Sequence, residues 1–216
     1  DKFDINNRGP FSIDFIGESW SYAEADYHER KRIWEEHVNY TKGLLWFLKS
    51  DPAVPKSVRE DMGKFAWPAD EFKDTGHFPH QLYIRECRRM VGTKVMTLHD
   101  LNNPQPIEDS IGMGSYGVDS HHVQRVIFPE NYADQRDSWG HLQNEGNFLA
   151  SASGYKKGPY PIPCRAITPK AEECSNLLVT FCVSSTHVAF SSIRMEPVHM
   201  LLNQAAATAA VLAMEA

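Results

Sequence analysis

The chain has 216 residues, 42% of them hydrophobic, and its 28 acidic and 22 basic side chains give a formal charge of −6. That length can bury a sizeable core in one or two domains, and that charge offers no general attraction to nucleic acid or to an anionic membrane. No apolar run approaches the roughly 20 residues that span a bilayer, and the polar start Asp1-Lys2-Phe3-Asp4 has no signal-peptide form.

Asn6-Asn7-Arg8-Gly9-Pro10 reads as a turn cluster before the alternating Phe11 to Ile16. Ser21 with Glu24 fits a capping box, and Ile33, His37, Tyr40, Leu44 and Leu48 then recur at helical spacing to about Lys49. Asp51-Pro52 stops that helix. A shorter one is expected from Pro55 to about Phe65, ending before Trp67-Pro68, so the two form a helical hairpin.

Residues 81 to 92 hold Arg85, Arg88 and Arg89, whose guanidinium forks suit a carboxylate or phosphate; a solvated face pairing with Glu86 is the competing reading. Thr93 to Thr97 reads as a short strand. Gly112-Met113-Gly114-Ser115-Tyr116-Gly117 is a literal G-x-G-x-x-G, but the adjoining Val118 to Val123 looks extended. A dinucleotide loop must open a helix, so these glycines are expected to mark a bulge or the close approach of a ligand or another backbone instead.

His121-His122 is the only histidine pair, and adjacent strand side chains point to opposite faces, which disfavours one shared metal. One of the pair can line a pocket as an acid or base. Residues 129 to 160 are polar and irregular, a hairpin or lid. Tyr160 to Ile167 reads as an edge strand because Pro161 and Pro163 cannot donate to a central ladder; Arg165 projects from it.

Asn176 to Val183 reads as a buried strand, Ser184 to Glu196 as a polar loop, and Pro197 as the start of an alanine-rich helix. Strand, loop and helix deliver a positive helix end to one place, which suits an electron-rich ligand. Cys87, Cys164, Cys174 and Cys182 lack C-x-x-C spacing, so buried free thiols are expected and no metal site is indicated.

Five segments, taken in order, resemble the C-terminal portion of the FAD-dependent oxidoreductases with a glutathione-reductase-like or fumarate-reductase-like FAD fold. They are Tyr83 to Gly92, Asp109 to His121, Tyr160 to Arg165, Asn176 to Val179, and Ser184 to Ala210. Some members of that family carry the label xanthan lyase. The resemblance implies an α/β fold with an α+β substrate region. It is the C-terminal part of a two-domain, Rossmann-like flavoprotein whose N-terminal Gly-rich half is not among these residues. Residues 1–175 would be the substrate-side region and 176–216 a strand-loop-helix returning to the FAD-binding domain.

By the same resemblance, Ser185, Ser191, Ser192, Ile193, Arg194, Met195 and Pro197 would lie along FAD. His122, His121 or His187 would take a proton, while Arg85, Arg88 and Arg165 hold a small polar substrate such as a sugar or hydroxy compound. The implied partners are that substrate and the missing half, inactive without each other, with no nucleic acid and no membrane; an oligomer is compatible. Two departures stand out: the family pattern carries glycine where this chain has Asn203 and Ala207, and an Ala-Gly-Arg-type triplet where it has Thr180-Phe181-Cys182. The alternative activities are a polysaccharide lyase on uronate-containing glycans, with Tyr116 or His122 as base, and a non-catalytic module.

Overall fold

The computed structural model describes residues 12–84, 87–120, 122–129, 138–146 and 158–215. It contains helices α1 (Tyr27–Ser50), α2 (Lys56–Met62), α3 (Leu98–Asn102), α4 (His187–Ile193) and α5 (Glu196–Glu215). The strands are β1 (Ser110–Gly114), β2 (Gln124–Ile127), β3 (Ser138–Trp139), β4 (Leu142–Glu145) and β5 (Tyr160–Pro163). The class is α+β with small antiparallel sheets, and the chain divides into two compact units.

The first unit comprises Asp1–Glu86 and His122–Glu145. The cap of α1 is Asp26, whose carboxylate accepts from the Glu29 N–H at 2.9 Å, and not Ser21. Ser21 instead begins a turn through its carbonyl, which accepts from Ala25 N–H. Arg30 fixes this approach by donating to the carbonyls of Tyr22 and Ala23.

The predicted apolar stripe points inward at Ile33, His37 and Leu48, and Phe15 stacks on Tyr40 at 4.2 Å. Asp51 ends α1 as expected before Pro52, and α2 packs back on it to complete the helical hairpin. Strands β2, β4 and β3 form an antiparallel sheet in that order; Gly140, at φ +63°, supplies the left-handed turn between β3 and β4.

The second unit comprises Cys87–His121 and Gly146–Ala216. Here β1 pairs antiparallel with β5, so the two prolines of β5 sit in a two-stranded sheet and cost no central ladder bonds. Tyr160, Ile162, Val183, Ile193 and Leu202 meet in its core, with α5 laid against β1.

Three local expectations are corrected in this unit. Asn176 to Val183 is not a strand: Val179 N–H reaches the Ile167 carbonyl and Cys182 accepts from Met90 N–H, without a continuous ladder. An apolar run has the propensity for a strand but needs a neighbour with matching free backbone. Thr93 to Thr97 contributes only a parallel bridge from Met96 to Ser185. The expected loop from Ser184 holds α4, because Thr186 caps a helix by accepting from Ala189 N–H.

The alanine-rich helix is borne out with its start at Glu196, one residue before Pro197. Contrary to the sequence expectation, α5 is long and apolar enough to cross a membrane by length and composition. Alanine lifts its mean hydropathy although His199, Asn203, Gln204 and Thr208 interrupt it. All four cysteines are free, as expected, but they are half-buried and not buried.

Candidate functional site

The candidate site is built within the second unit, around α4 and its junction with α5. Thr186 N–H donates to the Met96 carbonyl at 2.8 Å and Met96 N–H to the Ser184 carbonyl at 3.0 Å, so the residues before α4 are pinned to a buried methionine. His187 is the first residue of α4 and is exposed. Arg89 donates to the Ser185 carbonyl and lies 5.5 Å over the Phe190 ring. Of the arginine cluster, then, it is Arg89 that is tied to this element, a position that spacing alone could not separate from Arg88, which is exposed.

The serines expected along a cofactor have their hydroxyls engaged inside the unit. Ser185 donates to the Val183 carbonyl and Ser191 to that of Val188. Ser192 is fully buried and gives its single proton to the Tyr116 carbonyl at 2.6 Å, so Tyr160 must be the donor in its 2.7 Å bond to Ser192 Oγ. Ile193 is fully buried in the core, whereas Met195 is half-buried and Pro197 exposed.

Arg194 ends α4. Its Nη2 donates to the Asp119 carboxylate at 2.7 Å and to the Asp119 carbonyl at 3.4 Å, while its Nε is buried with no hydrogen-bond partner among the described residues. A buried guanidinium N–H without an acceptor is costly, and an acceptor brought by a ligand would relieve it. By contrast the start of α5 is already served: Glu196 places a carboxylate there, Pro197 has no N–H, and Val198 and His199 donate to the Met195 carbonyl. Positive charge at this junction comes from Arg194 more than from the helix end.

Just beyond, the two departures from the family pattern meet. Thr180 Oγ1 donates to Asn203 Oδ1 at 2.7 Å, and Asn203 Nδ2 donates to the His199 carbonyl. The His199 ring stacks on Phe181 at 4.6 Å and hydrogen-bonds through Nδ1 to the Thr180 carbonyl. Burial pushes the His199 pKa below its ordinary value, against the opposing pulls of the Thr180 carbonyl and Glu196.

Arg165 lies in a 3-10 turn after β5, with Nε and Nη2 forked onto the Asp109 carboxylate at 2.9 and 3.1 Å. The Arg165 fork, followed by burial acting the other way, holds the Asp109 carboxyl below its ordinary range. His122 is buried in the first unit; Arg85 and His121 lie outside the described residues.

The glycine motif is explained by packing. A Cβ on Gly112 would come within 2.0 Å of Leu201 Cδ2, and one on Gly114 within 2.5 Å of the Tyr160 ring. Both glycines admit neighbouring side chains from α5 and β5, and no helix succeeds them directly. They are not a nucleotide loop.

A family model described as FAD dependent oxidoreductase matches residues 1–216. No curated protein and no solved structure matches the chain.

Proposed function

The chain belongs to the FAD-dependent oxidoreductase family, its class is oxidoreductase and its cofactor is FAD; from that premise we propose that it oxidises a small polar substrate such as a sugar or hydroxy compound. The observation that carries the reading is Arg194, a cation at the α4–α5 junction with a buried, unspent Nε donor. Arg194, Met195 and Pro197 would hold the cofactor, with the buried Ser185, Ser191, Ser192 and Ile193 supporting them from the core. Ser192, locked between Tyr160 and Tyr116, fixes the helix that carries them.

Bound FAD would supply the acceptor for a hydride leaving the substrate carbon. His187 takes the proton from the substrate hydroxyl, and Arg194, ion-paired to Asp119, offers its unspent Nε–H as a donor, worth most where water is excluded. Arg88 and Arg165 hold polar substrate groups, with His121 as a further candidate acid or base. A Rossmann-like half with its Gly-rich turn completes the cofactor site in this reading, and the chain is a fragment of that flavoprotein, inactive without it.

The test is reconstitution with FAD of the chain together with an upstream Gly-rich half, then visible spectroscopy. A yellow protein whose flavin band bleaches anaerobically with a polyol or hydroxy compound is expected. A colourless protein that FAD cannot reconstitute would overturn the reading. An unsaturated uronate product formed without any electron acceptor would favour the lyase alternative instead.

A further inference from the structure

The second unit also contains a cleft of about 240 Å³ whose polar wall is formed by Lys94, His99, Asp100, Gln105 and Arg165. Its floor is apolar, from Met96, Ile107 and Pro161. The hydrogen bonds already made along the wall determine which of its groups remain for a ligand.

Asp100 is the only acidic residue of the lining. One carboxylate oxygen accepts from Lys94 Nζ at 2.8 Å, and the other accepts from both the N–H and the hydroxyl of Thr97, the capping box of α3. Burial raises its pKa, but those donors outweigh burial and hold it below the ordinary range, so it is an engaged anion.

The donors are in the opposite position. Lys94 gives one of its three protons to Asp100, and the Arg165 Nη1 group makes no hydrogen bond among the described residues. Asn103 Nδ2 donates to His99 Nδ1 at 3.2 Å, which leaves the ring proton on Nε2. The cleft therefore has a surplus of donors over an apolar floor.

We propose that this cleft binds the carboxylate of a small hydroxy acid or uronic acid, with Arg165 and Lys94 on the carboxylate and the carbon body against Ile107 and Pro161. Unspent hydrogen-bond donors, not net charge, favour the carboxylate: Lys94 and Arg165 are already paired with Asp100 and Asp109, so every negative charge a ligand adds is unbalanced, and a monoanion is penalised less than a dianionic phosphate. A planar two-oxygen acceptor also suits the remaining edge of a guanidinium. Calling this ligand the substrate rests on the oxidoreductase reading above; the binding itself does not.

Calorimetric titration of the full chain with D-glucuronate and with D-glucose, its neutral counterpart, tests the cleft without flavin. Glucuronate should saturate and bind at least about tenfold more tightly than glucose, and Arg165→Gln and Lys94→Gln should each lose about that factor. Equal binding of the two sugars, no saturation by glucuronate, or equally effective competition by inorganic phosphate would overturn the proposal. A failed titration leaves the flavin reading standing, whereas saturable glucuronate binding by a protein that cannot take up FAD sinks that reading and keeps the subsite.

Discussion

Ser192 shows how much one hydroxyl can organise. Ser192→Ala removes its bonds to both Tyr160 and Tyr116 in a fully buried place and should cost about 1–3 kcal/mol. Tyr160→Phe removes only one of them, so a denaturant midpoint series should place it between Ser192→Ala and the parent chain. The same reasoning separates the exposed pair Thr180 and Asn203. Asn203→Ala loses two hydrogen bonds at an exposed position but gains helix propensity, and should change stability by no more than about 0.5 kcal/mol; Asn203→Gly gains no such compensation and should cost about 1 kcal/mol. Because the His199 pKa is depressed in the folded state, its neutral ring contributes stability in full above pH 6.5, and that contribution is lost as pH falls below this value. Denaturant midpoints at pH 8 and pH 5 should differ less in His199→Gln than in the parent. Asp100 and Asp109, both lowered, act only below about pH 3.8, outside this window.

Among the elements, β1 gives the sharpest contrast between neighbouring positions. Gly114→Ala forces a methyl against the rigid, buried Tyr160 ring and should cost about 3 kcal/mol, while Gly112→Ala meets the mobile end of Leu201 and should cost about 1 kcal/mol. Thermal unfolding of the two variants checks the order. That these glycines admit close neighbours was legible from the absence of a helix directly after them, but Leu201 and Tyr160 were not, since both approach from distant elements. Helices α1, α2 and α5 announced themselves by apolar period, proline and alanine. The short α4 did not: Thr186 is an effective cap, yet Ser191 and Ser192 look like loop residues until Tyr160 and Tyr116 bury them. Lys94, His99 and Asp109 escaped notice for a related reason. Each is ordinary in sequence, and only α3 and β5 bring them beside Arg165.

For the whole chain, net charge and α5 pull membrane behaviour in different directions. A formal charge of −6 opposes anionic lipid, whereas α5 has the length and composition of a membrane span. His199 and Asn203, held to Thr180, and Leu202, buried in the core, tie the helix to protein. The chain should therefore stay at the bottom of a flotation gradient with both neutral and anionic vesicles; recovery with neutral vesicles would assign α5 to lipid. The division into two units has a further consequence, one of order in time. Each unit is assembled from two separate stretches, and residues 87–121 of the second fall between the stretches of the first. As the polypeptide leaves the ribosome, the first unit lacks its last segment until residue 145 has emerged, by which point part of the second is already waiting for a partner still to be made. Stopping synthesis at residue 145 should yield protease-resistant α1 and α2 alongside a freely cleaved 87–121, and mass spectrometry of the digest would reveal that order.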